Sequence, residues 1–530
     1  MRIILAFFLS FLTGVVCLPQ DGYIRDPLAD VVQYTFSLSV SDTSDVVYGQ
    51  AGILFRFNDE SSSFGLDLMN AGDDGRGMIV DSVILDGASV GWIHRDNRII
   101  ITWEGETTAG KELKVVVYYH GVPIDGLIIS NNRFGSRTFF SDHWPDRARN
   151  YLPCIDHPYD KAKVDFIITA PIHYEVVANG YLAEKSFTAA GTKVTHWRED
   201  VPLATKVMAF GVAPFAMQYA GNVSGIPVWT YVFRENREEG FSDYAPAVKP
   251  LAFFTGLIGP YPYEKLANVQ SKTIYGGLEN AGCIFYSERS VTGQGKVENL
   301  LAHEIAHQWF GNSVTENDWH HIWLSEGFAT YLTSVYQEMN YGKERMKESM
   351  GSSRTRVLDF FSRSPRPVID TSVTNLMRLL NDNSYQKGSW VLHMLRSELG
   401  DEHFWKGMRL YYERFRDKNA LTEDFKKIME EVSKRDLDQF FHQWLRVAGQ
   451  PDLRISTAPS ARKGRTDLII EQQQEYLYRF NLEFLAKSPV KSFHKTVSIR
   501  EKTTKITLKT GQPVEIIPDP DVKLLFRILP

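Results

Sequence analysis

The sequence predicts a multidomain α+β protein: an all-β domain, then an α+β domain with its helices gathered late, then a small β-sandwich. Three observations carry this. The chain has 530 residues, too many for one ordinary core. Short β-branched or aromatic runs dominate from about Asp30 to Gln218 and return from about Gln450. Between them, apolar residues recur at helical spacing over long segments.

The first stretch reads MRIILAFFLSFLTGVVCLPQDG. Arg2 precedes an apolar run from Ile3 to Val16, short for a membrane span and suited to a signal-peptide core. Val15 and Cys17 suit cleavage after Cys17, so residues 1–17 are expected to be a signal peptide and the protein secreted or periplasmic. The competing reading is a short membrane anchor. No other run is long and apolar enough to span, so no stable membrane span is expected after cleavage. Cys154 and Cys283 then remain, as a pair or as buried thiols. Asn222-Val223-Ser224 is a sequon that matters only where secreted proteins are glycosylated.

Residues 18–224 are expected to form the all-β domain, as an open or saddle-shaped pair of sheets. VVQYTFSLSV, AGILFRFN, GMIVDSVILDG, NRIIITWEG, ELKVVVYYHG and KVDFIITAP are broken at intervals by Gly, Asn and Asp. Residues 225–449 open with strand-like VWTYVF and ANVQSKTIYGG. Helical patterns follow in VENLLAHEIAHQWFG, LSEGFATYLTSVYQEMN, KERMKESMGSSRTRVLDFF, SYQKGSWVLHMLRSELG and EDFKKIMEEVSKRDLDQFFHQWLRVAG. Residues 450–530 return to alternation in DLRIST, TDLIIEQQ, LYRFNLEFLA, FHKTVSIRE, KITLKTG and PVEIIPD, the pattern of a β-sandwich. With 43% hydrophobic and 23% charged residues the chain is globular rather than disordered. A net charge of -5 argues against a nucleic-acid partner, which needs a basic footprint.

The stretch that carries chemistry runs from Val297 to Thr333. A helix over 297–310 places His303 and His307 one turn apart on one face, able to share one zinc ion. Glu304 then sits within reach of a water on that metal. A catalytic zinc takes three protein ligands and leaves one position open. Leu324-Ser325-Glu326-Gly327-Phe328-Ala329 supplies a carboxylate at the start of a second helix, which Ser325 is expected to cap. His320 and His321 lack ligand spacing and are expected to support the ligands or lie at the surface. In a chain with 14 histidines, the H-E-x-x-H spacing alone arises by chance at about a few per cent, so the surrounding motifs decide.

HEIAHQWFGN followed by WLSEGFATY resembles the gluzincin zinc aminopeptidases of the aminopeptidase N and leukotriene hydrolase type. The resemblance implies a thermolysin-like α+β catalytic domain. It implies that His303, His307 and Glu326, 19 residues after His307, bind one Zn2+, and that Glu304 is the general base. Tyr275-Gly276-Gly277-Leu278-Glu279-Asn280-Ala281 is similar to the family's G-x-M-E-N loop, with Leu278 in place of Met. Read physically, Gly276 and Gly277 let an extended peptide approach as an added strand. Glu279 offers a carboxylate to the peptide's charged amino terminus. Taken alone this stretch would be a glycine turn with a solvated Glu. Ser384-Tyr385-Gln386-Lys387-Gly388 is similar to the family's Tyr-x-Lys-Gly segment, which makes Tyr385 the donor to the developing oxyanion. Leu152-Pro153-Cys154-Ile155-Asp156-His157-Pro158 matches its P-C-x-D-x-P segment, so the likeness spans nearly the whole mature chain.

Two departures stand out. Many members carry a Gln or Glu about ten residues before that Cys, where it helps hold the substrate amine; here the position is Trp144. Either a neighbour such as Asp142 takes the role or Glu279 works with less help. The large helical C-terminal domain of most members has no counterpart, so a short member with a more open cleft is expected. The reading is a zinc metallo-aminopeptidase acting on peptides with a free N-terminus. The alternative is a lipid epoxide hydrolase of the leukotriene hydrolase type. A zinc endopeptidase is disfavoured by Glu279, and a catalytically dead relative by the intact His303, Glu304, His307, Glu326 and Tyr385.

Overall fold

A computed structural model describes residues 21–189, 191–488, 491–510 and 514–530. The expected signal peptide and Cys17 lie outside the described residues. The chain folds as the mixed α/β architecture the sequence predicts, with a β-rich N-terminal part and a helical region that carries the zinc motif.

The N-terminal part holds three sheets where a pair was expected. The largest has eight strands, with Ala29–Ser39 near its middle between Ala162–Pro171 and Val47–Phe57. Val31, Tyr34, Phe36 and Leu38 of that strand are buried, the alternation of a sheet with one face on a core. A four-stranded sheet contains Glu175–Ala178, Phe210–Ala213, Arg137–Ser141 and Leu127–Asn131. A three-stranded sheet is built by Ser61–Asp67, Arg98–Thr107 and Gly91–Arg95. Cys154 and Cys283 are both free and buried.

The next sheet has five strands in the order Phe215–Val223, Ile226–Phe233, Leu266–Ser271, Cys283–Ser287, Gly277–Leu278. The expected boundary at 224/225 falls in the turn between the first two of these strands. Phe215–Val223 pairs with Ile226–Phe233 across a tight turn, so the hairpin belongs to one sheet. Gly277–Leu278 is the outer strand; among the described residues it pairs only with Cys283–Ser287, and its other edge has no strand partner.

Eight α-helices are described: α1 (Arg237–Tyr244), α2 (Val248–Leu257), α3 (Glu298–His307), α4 (Trp323–Tyr341), α5 (Lys343–Arg363), α6 (Gly388–Phe415), α7 (Thr422–Ser433) and α8 (Asp438–Phe441). The long pattern expected after Leu421 is cut in two because Lys434 adopts a left-handed conformation that ends α7. A π-helical turn, Asn383–Lys387, leads into α6. The C-terminal strands form a four-stranded and a three-stranded sheet. No helix among the described residues is long and apolar enough to cross a membrane.

Candidate active site and metal centre

Two helices deliver the three ligand atoms. Helix α3 presents His303 and His307 from successive turns of one face. Helix α4 presents Glu326 from its first turn. His303 Nε2 and His307 Nε2 are 3.2 Å apart, and Glu326 Oε2 lies 3.6 Å from the first and 3.3 Å from the second. A tetrahedral zinc with bonds of about 2.0–2.1 Å spaces its ligand atoms by about 3.3–3.4 Å. The triangle fits that ion with no rearrangement. Glu326 Oε2 is buried with no hydrogen-bond donor of its own, as expected of an oxygen whose lone pair serves a metal.

The orientation of His307 is fixed from behind. Its Nδ1 faces Phe310 O at 3.3 Å and Ser325 Oγ at 3.1 Å. A proton held on Nδ1 leaves Nε2 free to bind metal. This corrects the reading of Ser325. The helix begins at Trp323 and has no side-chain cap, so Ser325 stands inside the first turn with its hydroxyl turned to the ligand. His320 and His321 are both buried and touch no ligand. The first lies between Asp318 Oδ1 and Val373 O, the second against Thr422 Oγ1.

Two helices approach at glycine to bring Glu326 and Tyr385 together. A Cβ on Gly327 would stand 2.9 Å from the backbone of Gly388, so α4 and the start of α6 pack main chain against main chain. Tyr385, in the π-helical turn, stacks on His303 with ring centroids 6.1 Å apart. Burial raises its phenol pKa, and the carboxylates of Glu326 and Glu279 add to that, so the hydroxyl keeps its proton and is available to donate it in a hydrogen bond.

Glu304 lies across the site and packs on the outer strand. A Cβ at Gly277 would fall 2.2 Å from Glu304 Oε1, so only glycine admits the carboxylate there. Burial lifts the Glu304 pKa well above the ordinary range, and nearby Glu279 and Glu326 add to it, while His307 opposes. In the metal-free chain burial opposes a charge on His307, yet Glu326, Glu279 and Glu304 lift it to about 9. A bound cation would displace that proton.

The residues expected at the substrate amine are placed as follows. Gly276 is exposed and a Cβ there meets open space, so close approach requires glycine at Gly277 alone. Leu278 is buried and its side chain belongs to the core. Glu279 is 5% exposed and its Oε1 has no partner. Asn280 is buried with Nδ2 unpartnered. Asp142 is spent elsewhere: it pairs with Arg147, and its Oδ2 accepts from Thr273 Oγ1 at 2.9 Å and Ile274 N at 3.3 Å. It is fully buried with both oxygens bonded, and it pins the loop that carries Glu279. Trp144 is buried and meets Tyr275 and Trp319 edge to face, with centroids 6.1 and 5.9 Å away.

Sequence reasoning passed over Gln308 and Asn312. Their side-chain amides donate to Glu279 O at 2.9 and 2.5 Å. Gln308 Oε1 also accepts from Gly282 N at 2.8 Å. These two residues, just past the second histidine, tie the loop of Glu279 to the metal helix. The only signal was their place in HQWFGN.

Comparison with known proteins places the chain among peptidases. Residues 247–444 match the peptidase family M1 domain and residues 32–207 the peptidase M1 N-terminal domain, together more than half of the chain. Human glutamyl aminopeptidase is 31% identical over 336 residues, 60% of this chain and 35% of that protein. Aminopeptidase M1-C of Oryza sativa subsp. japonica is 31% identical over 342 residues, 62% and 38% respectively. The match thus spans little more than a third of these relatives' length. An M1 zinc metallopeptidase from Deinococcus radiodurans shares the fold with a TM-score of 0.68 at 24% identity, over 80% of this chain and 95% of that one.

Proposed function

We propose, from the premise that this chain belongs to the peptidase M1 family, that it is a zinc-dependent aminopeptidase releasing the N-terminal residue of peptides. One observation carries the exopeptidase part. Glu279 places a buried, partnerless carboxylate oxygen on the loop whose Gly277 packs against Glu304, beside the His303, His307, Glu326 triangle. A buried anion without a partner is costly, and a substrate ammonium would complete it.

Zinc, held by those three residues, would supply a Lewis acid that polarises the scissile carbonyl and lowers the pKa of a water. Glu279 holds the peptide's amino terminus, which fixes the cut at the first bond. The open edge of Gly277–Leu278 receives the peptide backbone as an added strand. Glu304 takes the proton from the attacking water and hands it to the leaving amine. Tyr385 donates its hydroxyl proton in a hydrogen bond to the carbonyl oxygen as negative charge gathers there. No observation favours lipid epoxide hydrolysis.

The remaining readings have their own support. The apolar run after Arg2 supports export, hence a secreted or periplasmic protein. The His303, His307, Glu326 triangle, the one group with histidines and buried ligands among the described residues, supports one ion per chain. The two C-terminal sheets read as a sandwich, and helices α3 and α4 beside a five-stranded sheet read as a thermolysin-like domain.

Glu304→Gln should cut turnover about a thousandfold while metal analysis still finds zinc. Free aminoacyl reporters should be hydrolysed and their N-acetylated forms not, with activity lost to a chelator. Equal cleavage of acetylated and free reporters would refute the exopeptidase reading.

A further inference from the structure

We propose that a basic cavity lined by Arg363, Arg366 and Arg378 binds a multiply charged oxyanion, a phosphate group or paired carboxylates. Such an anion comes either free from solution or on the acidic tail of a peptide substrate. Only the second source rests on the aminopeptidase reading.

The cavity, of about 510 Å³, lies where the chain leaves α5 and runs towards the π-helical turn of Tyr385. Its charges do not balance. Among the described residues, the Arg378 side chain makes no hydrogen bond or ion pair. Arg363 spends only its Nε, on Asp359 O at 3.1 Å, one turn back in its own helix. Arg366 gives its Nε to Ser364 Oγ at 2.8 Å and lies 3.8 Å from Asp370 Oδ2. Asp370 is the one acid that lines the cavity among the described residues, and its Oδ1 is taken by Ser372, N at 3.0 Å and Oγ at 2.5 Å. Three guanidinium groups thus face one carboxylate, in a chain whose net charge is -5.

A surface arginine is usually just solvated, and one at a helix C-terminus serves the helix dipole. Here three converge on one concavity, and the segment that carries them is held along its length. Asn383 Nδ2 donates to Arg366 O at 2.9 Å and Pro367 O at 3.0 Å. Ile369 N donates to Leu445 O at 3.0 Å, and Val368 and Ile369 are buried. His320, which touches no zinc ligand, sets its Nε2 3.1 Å from Val373 O. Fixing the backbone confines the ordering cost of binding to the side chains.

The donor set selects the ligand. A guanidinium fork sets two N–H groups against two oxygens, the geometry of phosphate and carboxylate. The Arg378 fork and the outer nitrogens of Arg363 are free for this, and a concavity of one sign raises the local concentration of anions. The cavity also adjoins the substrate cleft. Thr374 and Asn375 line it and line the neighbouring cavity with Met377, whose sulfur accepts from Tyr275 OH at 3.5 Å on the loop of Glu279. With the amine held at Glu279, the part of a peptide that can extend towards this rim is the part after its first residue. The arginines of the neighbouring cavity are engaged already, Arg147 by Asp142 and Asp125, Arg149 by Asp156 and Asp146.

The test has two arms, both on the zinc-loaded enzyme. Calorimetry with inorganic phosphate reads the free anion. The wild-type protein should bind it, and Arg363→Gln combined with Arg378→Gln should weaken binding at least about tenfold, with zinc content and thermal midpoint unchanged. The second arm compares kcat/KM for the peptides Leu-Gly-Gly-Glu-Glu and Leu-Gly-Gly-Gln-Gln. A preference of about tenfold for the acidic peptide, lost in the double variant, assigns the cavity to the substrate tail. Arginine-dependent phosphate binding without that preference assigns it to a free anion. Equal rates on the two peptides, with no phosphate binding that depends on the arginines, overturn the proposal. Phosphate held equally by both proteins is then on the zinc or elsewhere. If neither peptide is cleaved, the aminopeptidase reading falls and calorimetry alone decides. Should the double variant misfold, Arg378→Gln alone, at an exposed position, takes its place.

Discussion

At Gly277 the tolerance of the site is set by a single hydrogen. Its missing Cβ is the space Glu304 occupies. Gly277→Ala should turn that carboxylate away from the ligand triangle and lower kcat at least about tenfold, with zinc retained. Gly276→Ala, whose Cβ meets open space, should cost much less. Equal losses from both would show that loop flexibility, not the contact, makes the glycine necessary. The ligand residues could be read from the sequence because helical periodicity fixes which side chains share a face. The hydroxyl behind His307 could not. Ser325 looks like a cap only if the helix starts at Glu326, and a start at Trp323 turns the same hydroxyl onto the ring. Helix starts shift by a residue or two for reasons of tertiary packing that spacing does not record. Trp144 was legible as a departure, but its use as a brace for Tyr275 depends on Trp319, 175 residues away.

At the level of elements, the active site is an edge strand bolted to a helix. The outer strand Gly277–Leu278 makes few ladder contacts, and what holds its continuation in place is the pair of amides on Glu279 O. Asn312→Ala should release the loop while leaving the ligand triangle alone. KM for free-amine reporters should rise about tenfold, with a smaller change in kcat and unchanged zinc content. A fall in zinc content instead would mean that Asn312 supports α3 rather than the loop. The strands were legible because alternation over a half-buried sheet leaves a period of two. Helices α1 and α2 were not, since α1 is short and mostly polar and α2 carries Pro250 near its start. The π-helical turn that aims Tyr385 also leaves no mark in the periodicity, because one extra residue per turn over five residues is lost in the noise of the pattern.

Across the whole molecule, buried polar groups join the parts, and one of them makes the assembly sensitive to acid. Lys161 Nζ donates to Asn312 O, Ser313 O and Lys418 O, tying the N-terminal β part to the helical region. At the other end Arg354 pairs with Asp519 and donates to Leu524 O, and His393 Nε2 donates to Val522 O at 3.0 Å. Burial pushes His393 down from 6.5 to about 4, with the carbonyl bond opposing. The unfolded chain therefore takes up this proton first as the pH falls. The stability it protects is intact above about 6.5 and drains away between there and about 4. From pH 7 to pH 5 that is a loss of about 2 kcal/mol from this one group. His393→Gln keeps an N–H for Val522 O and removes the titration. Its thermal midpoint should fall less than the wild-type value between pH 7 and pH 5. An identical fall in both would place the acid sensitivity elsewhere, with His143, also buried and lowered to about 4, the next group to replace. Separate melting of the C-terminal sheets at pH 5 in the wild-type protein, absent in the variant, would locate the weakness at the seam between α6 and Val522 rather than in the fold at large.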